Sequence, residues 1–259
     1  MKAAGLQFDK KEFLNKNMSA VALVLALVLG GIAMLVCGYN PFEAYGSILK
    51  GAFIGRKAIC QTLVQATPLI FAGLAYTVAK KANLINLGIE GQLYMGALGT
   101  SLIALMPVNL PGVIWIPLSL LGGIIFGGLY AGLVGFMKVK FGSNEVIATV
   151  MVLSGSIAGL LGGTHVLGVD HRLIADFSSG YGFDGIAVAA LAADSPLGVI
   201  LSGIIFGALR AGCMVLNRTT GIPTEFIDVI QAFIILLVAA PLLVKEILRI
   251  KNGSKGGKK

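Results

Sequence analysis

The 259-residue chain is 56% hydrophobic and only 12% charged, with a mean hydropathy of +0.90. A soluble domain carries roughly 25% charged residues, so this composition excludes a water-soluble globular protein and makes the bilayer the solvent. The net charge of +8 sits mainly in the tails and short loops, where anionic lipid and the insertion machinery favour it, and gives no reason to invoke nucleic acid.

In chain order, a basic tail over residues 1–17 carries Lys2, Lys10, Lys11 and Lys16. The first apolar run, 18–38, is longer than a signal-peptide core. No Ala-x-Ala cleavage pattern follows it before Tyr39 and Pro41, so it is expected to stay as an anchor. Lys50, Arg56 and Lys57 then fall in an amphipathic-looking outer loop. Apolar runs at 59–79, 93–106, 114–137, 146–167, 196–216 and 226–244 mostly approach the roughly 20 residues of a spanning helix. A shorter piece at 185–193 suits a broken or tightly packed helix. The tail 245–259 is again basic. Two basic tails place both termini in the cytoplasm and require an even number of crossings. Counting 185–193 as one gives about eight, an all-α integral membrane protein whose transmembrane domain covers 18–244. Lys80, Lys81, Lys138 and Lys140 then lie inside. Arg172, Arg210 and Arg218 join Lys50, Arg56 and Lys57 as exceptions, with Arg210 expected to snorkel to a helix end.

The segment Leu121-Gly122-Gly123-Ile124-Ile125-Phe126-Gly127-Gly128 returns as Leu201-Ser202-Gly203-Ile204-Ile205-Phe206-Gly207-Ala208. In the same order, Ala72-Gly73-Leu74 pairs with Ala158-Gly159-Leu160, and Gly88-Ile89-Glu90-Gly91 with Gly182-Phe183-Asp184-Gly185. The chain therefore reads as repeat one over about 59–153 and repeat two over about 154–244, oppositely oriented, as in many transporters. The competing explanation is that glycine-rich apolar helices look alike. Gly123, Gly127, Gly203 and Gly207 serve close helix packing on either account.

Glycine-flanked acids within apolar sequence are costly and mark candidate function. Asn86, Glu90, Gly91, Gln92, Asp184 and Gly185 are the expected substrate-pathway residues, with freed backbone groups and acceptors able to hold an uncharged, hydrogen-bonding solute. The alternative is that Glu90 and Asp184 cap helix N-termini or pair with Lys80 or Lys81, while Asn86 and Gln92 satisfy unwound backbone. Gln61, Gln65 and Thr67 read as interhelical bonding residues, and His165 as a helix-end polar residue. His165 and His171 are too isolated for a metal site. Cys37, Cys60 and Cys213 have no paired spacing and read as packing residues. No phosphate-binding Gly-x-x-x-x-Gly-Lys-Ser/Thr and no catalytic set appears, so the chain is expected to be no enzyme and to bind no cofactor.

Four stretches in order, Asn83 through Gln92 (Asn-Leu-Ile-Asn-Leu-Gly-Ile-Glu-Gly-Gln), Ser143-Asn144-Glu145-Val146-Ile147, Ser154-Gly155-Ser156-Ile157-Ala158-Gly159-Leu160 and Tyr181-Gly182-Phe183-Asp184-Gly185, resemble signatures of bacterial ABC-importer permeases. The nucleoside and simple-sugar branch of the ribose and branched-chain-amino-acid type is the nearest, since ribose-type relatives carry an Asp-containing sequence at the Asn-x-Gly-x-Glu-Gly-Gln position. The resemblance implies a plasma-membrane permease that pairs with a second permease subunit, takes solute from an extracytoplasmic binding protein and relies on a separate ATPase subunit for ATP. One departure stands out. In that family a long block, including the ATPase-docking loop with its Gly-x-Asn-x-x-Ala-Ala stretch, separates the Asn-Glu-Val-Ile helix from the Ser-Gly-x-x-Ala-Gly helix, whereas here Val152-Leu153 runs straight into Ser154. The shortening implies impaired coupling to ATP. The rival readings are an autonomous carrier or channel, and an inactive truncated permease.

Overall fold

The computed structural model describes residues 18–239 apart from 109, 143 and 179; both basic tails lie outside the described residues. Nine helices are present among them: α1 Met18–Val36, α2 Pro41–Phe53, α3 Arg56–Lys81, α4 Ile89–Ala104, α5 Gly112–Lys140, α6 Val146–His165, α7 Tyr181–Leu191, α8 Pro196–Thr220 and α9 Phe226–Ala239. A π-helical turn, Val166–Asp170, finishes α6. The fold class is all-α and membrane-embedded, as composition required.

Among the described residues, five segments are long and apolar enough to cross a bilayer: Ser19–Val36 of α1, α3, α5, α6 with its π turn, and α8. The shorter α4 and α7 have 16 and 11 residues. At 1.5 Å per residue these reach only about 24 and 16 Å, less than a hydrocarbon core of about 30 Å. Their remaining depth falls to non-helical chain. The irregular stretch after α3 leads into α4, and the loop after the π turn leads into α7. Irregular backbone at such depth survives only when protein covers it.

One expectation is corrected here. The stretch carrying Lys50 is not an outer loop but helix α2, capped by Asn40, whose Oδ1 accepts from the Phe42 amide at 3.1 Å, with Pro41 at the first position. Its inner face lies on α8, so tightly that a Cβ added to Gly212 would stand 2.4 Å from the Ile48 carbonyl oxygen. Lys50 and Phe42 lie on its outer side.

Close backbone contact between helices organises the interior, as expected where the lipid removes any hydrophobic driving force between them. Gly123 and Gly127 of α5 rest on α6: a Cβ on Gly127 would lie 2.5 Å from the Gly155 carbonyl oxygen, and one on Gly159 would lie 2.2 Å from that of Gly123. Gly203 and Gly207 of α8 rest on α3, where a Cβ on Gly207 would meet the Ala66 amide nitrogen at 2.6 Å. Each Gly-Ile-Ile-Phe-Gly helix therefore packs on a helix carrying Ala-Gly-Leu: α5 on the one with residues 158–160, α8 on the one with 72–74. Directions follow from an ion pair of 2.8 Å between Lys80, at the end of α3, and Asp194, in the turn between α7 and α8. The ends of α3 and α7 and the start of α8 thus share one edge of the bundle.

Candidate functional site

The short helices α4 and α7 bring their N-termini together, and Glu90 occupies the junction. Its carboxylate accepts from the Gly182 amide in the first turn of α7 at 2.7 Å and from the Ser178 hydroxyl. The Tyr94 hydroxyl lies 3.2 Å from the same Ser178 oxygen. The N-terminal ends of two helices thus converge on one carboxylate. A side chain at Gly182 is impossible without displacement, because its Cβ would stand 2.6 Å from the Glu90 amide nitrogen.

Asn86 and Gln92 turn toward each other. The two amides exchange reciprocal hydrogen bonds of 2.9 and 3.1 Å. The Asn86 amide also donates to Ser154 Oγ at 2.8 Å, Ser154 donates to the Ala75 carbonyl at 2.7 Å, and the Gly88 amide donates to Asn86 Oδ1 at 3.0 Å. Both amides are 1% exposed. This closed network ties the irregular chain before α4 to α3 and α6, which answers the demand of its freed backbone for partners. Gly91 lies against the Tyr130 ring, and Gly185 against the backbone of Ala72.

Asp184, in the first turn of α7, forms an ion pair with Arg210 of α8, and their side chains are only 16% and 14% exposed. The guanidinium also stands 4.6 Å over the Tyr181 ring, whose hydroxyl donates to Gln65 Oε1 at 3.0 Å. Of the alternative reading, Glu90 does accept from the first turn of α7, whereas Lys80 takes Asp194 as its partner, not Glu90 or Asp184. Arg210 does not snorkel to a helix end: it lies ten residues, about 15 Å, from the end of α8, and its guanidinium is neutralised by Asp184 inside the fold.

Above this pair opens a cavity of about 550 Å³, within the range of small-molecule sites. Gln65, Tyr181 and Arg210 contribute to it from three helices, and Asp170, Asp176, Glu225 and Asp228 line it from the π turn, the loop before α7 and the start of α9. His165 is part of its wall, with ring centroids 5.6 Å from Phe177 and 5.3 Å from Tyr181 and its Nε2 3.4 Å from an Asp170 carboxylate oxygen. A π turn at such a place is a frequent mark of a functional site. With Arg210 committed to Asp184, the lining carries an excess of carboxylates. Such a chamber repels phosphorylated solutes and offers acceptors for hydroxyls and amines, beside aromatic faces for a ring.

Sequence reasoning found Glu90 and Asp184 but not this chamber. Its acids belong to no motif, and only their clustering within 170–176 and 225–228, next to apolar helices, could have drawn attention to them. Gln65 and Gln61 do make interhelical bonds, Gln65 accepting from Tyr181 and Gln61 donating to the Met214 sulfur at 3.8 Å, whereas Thr67 bonds within its own helix to the Leu63 carbonyl. Cys213 is packed; Cys37 and Cys60 are instead exposed. Among the described residues no cluster of His, Cys, Asp and Glu is placed to hold a metal ion.

A helical membrane protein with broken helices meeting under a polar, aromatic-walled chamber has the build of a solute permease. The chain belongs to the family described as the permease component of branched-chain amino acid transport systems, which matches residues 58–154 and 147–239. It is 24% identical to the guanosine ABC transporter permease protein NupP of Bacillus subtilis (strain 168), over 88% of this chain and 94% of the relative. Similarity to the nucleoside ABC transporter permease protein NupB of Lactococcus lactis subsp. cremoris is 23% over 88% and 92%. To the glucose ABC transporter permease protein TsgB13 of Haloferax volcanii it is 24% over 90% of both chains. The matched stretch for NupP runs over 328 residues, more than the 259 of this entire chain. No solved structure matches.

Proposed function

We propose that this chain is the transmembrane permease subunit of an ABC importer that moves nucleosides or simple sugars inward, and that the chamber above Asp184 and Arg210 receives the solute. The observation that carries this reading is a polar, net-negative and aromatic-walled chamber inside an otherwise apolar bundle. Ribose or hexose hydroxyls find carboxylate acceptors there, and a base or pyranose face finds the rings of His165, Phe177 and Tyr181. Glu90, Gly91, Asp184 and Gly185 form the narrow floor, while Asn86 and Gln92 brace the chain that carries it. Two inverted repeats exchange their packing, α5 on α6 and α8 on α3, and rock against each other to alternate access.

With both tails cytoplasmic, the edge marked by Lys80 and Asp194 faces the cytoplasm of a bacterial inner membrane. The chamber then opens outward, toward an extracytoplasmic binding protein. A second permease subunit and an ATPase complete the system, and ATP is used by that ATPase alone. The greater length of the relatives supports the absence of a central block at 147–154, where the two family matches overlap. There α6 joins two helices into one. Loss of the docking loop in that block leaves coupling to ATP impaired.

The test is to express the chain with an ATPase of the same family, purify the assembly and measure guanosine-stimulated ATP hydrolysis and uptake of labelled guanosine and glucose into proteoliposomes. Binding of one solute with weak stimulation, raised by reinserting a relative's central block at residue 153, supports the reading. Uptake driven by an ion gradient without any ATPase refutes it.

A further inference from the structure

We propose that the crevice between α2, α3 and α8 is a binding site for an anionic phospholipid. Lys50 of α2, Lys57 of α3 and Arg218 of α8 line a second cavity of about 640 Å³. None of the three has an ion-pair partner within 4 Å among the described residues, where the acids that pair belong to Lys80, His165 and Arg210. Lys57 is the second residue of α3 and Arg218 lies two residues before the end of α8. The cations therefore stand at one membrane boundary, at headgroup level. Deeper along the same two helices the crevice becomes apolar, with Ala58, Ala211, Met214 and Val215. From Arg218 to Ala211 is about 10 Å along the helix, the depth of a lipid's glycerol and first methylenes. Phosphate against three cations over an apolar floor is the recognition chemistry of an acidic lipid.

Two further observations fit this occupant. Lys50, Lys57 and Arg218 are three of the six basic residues that the orientation proposed above leaves away from the cytoplasm, so a local ligand accounts for half of the departures from the charge rule. Met214 lines both cavities, and the chamber on its other side is acidic. A phosphate is held on one side of that residue and repelled on the other. Only the choice of leaflet rests on the proposed orientation.

The experiment uses the full chain in detergent, stripped of native lipid, and measures binding of palmitoyl-oleoyl phosphatidylglycerol and phosphatidylcholine by native mass spectrometry. The wild type is expected to prefer phosphatidylglycerol. The triple change Lys50→Gln, Lys57→Gln and Arg218→Gln should lower that affinity on the order of a hundredfold, from about 1 kcal/mol per cation, and leave phosphatidylcholine unchanged. Arg218→Gln alone, for the case in which the triple variant does not fold, should lower it about fivefold. Met214→Trp keeps every charge but fills the floor, and should also weaken phosphatidylglycerol binding; Lys80→Gln, at the opposite edge, should not. Equal binding of the two lipids, or no effect of the charge changes, overturns the proposal. So does displacement by millimolar inorganic phosphate or a soluble acidic peptide as effective as the lipid, which would assign the cations to a free anion or a protein partner. No transport is measured, so failure here and failure of the importer reading are separately visible.

Discussion

Breaking the Asp184–Arg210 pair is the sharpest probe of the interior. Changing Arg210 to Met keeps most of the side-chain volume but strands the Asp184 carboxylate in a site where it is only 16% exposed. It also removes the guanidinium 4.6 Å above the Tyr181 ring. Stranding one member of a buried pair costs roughly 3–5 kcal/mol, and the lost cation–π contact adds about 0.5–2 kcal/mol. Asp184→Leu strands the cation in the same way. The double variant, with neither charge left behind, should be more stable than either single one, because the desolvation penalty leaves with the charges. Reversible unfolding in mixed detergent, followed through the single tryptophan, Trp115, supplies the double-mutant cycle. A coupling energy below about 0.5 kcal/mol would refute the reasoning, because independent losses mean that the two groups do not meet in the folded protein.

Asn86→Leu leaves the Gln92 amide without its partner at 1% exposure and should destabilise by about 1–3 kcal/mol per orphaned group, with hydrogen exchange rising first in the chain before α4. Gly159→Leu places a side chain where even a Cβ lies 2.2 Å from the Gly123 carbonyl oxygen, and should abolish the folded fraction in fluorescence-detected size exclusion. Gly46→Ala, in α2 with nothing within 4 Å of the added Cβ, should raise stability by about 0.5–1 kcal/mol in a thermal melt. On the proposed function, Asp228→Asn, in the chamber wall, should raise the Kd for guanosine about tenfold in equilibrium dialysis and leave the melting temperature within a few degrees, whereas Phe177→Ala, at 5% exposure, should also destabilise by about 3–5 kcal/mol.

How far each element was legible depends on the range of the interactions that define it. α3, α5, α6 and α8 were readable because partitioning into lipid is a sum over neighbouring residues. The amphipathic α2 was not, since a 13-residue helix carrying Glu43, Ser47 and Lys50 is too short and too polar to stand out as a span. Glu90 stood out as an acid between glycines. Its partners did not, because the Gly182 amide and Ser178 lie about ninety residues away in sequence. Lys80 had Glu90 and Asp184 as conceivable partners and took neither, pairing instead with Asp194 across the shared edge of α3 and α7.

By itself the chain determined its solvent, its helical class, the places where helices must break, and a kinship carried by four short motifs. These follow from local quantities: transfer free energy, glycine spacing and the cost of an acid in lipid. Only the tertiary structure decided that Arg210 is neutralised at depth, that Asn86 and Gln92 close on each other, and that loops before α7 and α9 meet α3, α6 and α8 around one acidic chamber. A charge or an amide buried away from water takes whichever partner the packing brings within about 3 Å, and that choice is made by helices far apart in sequence.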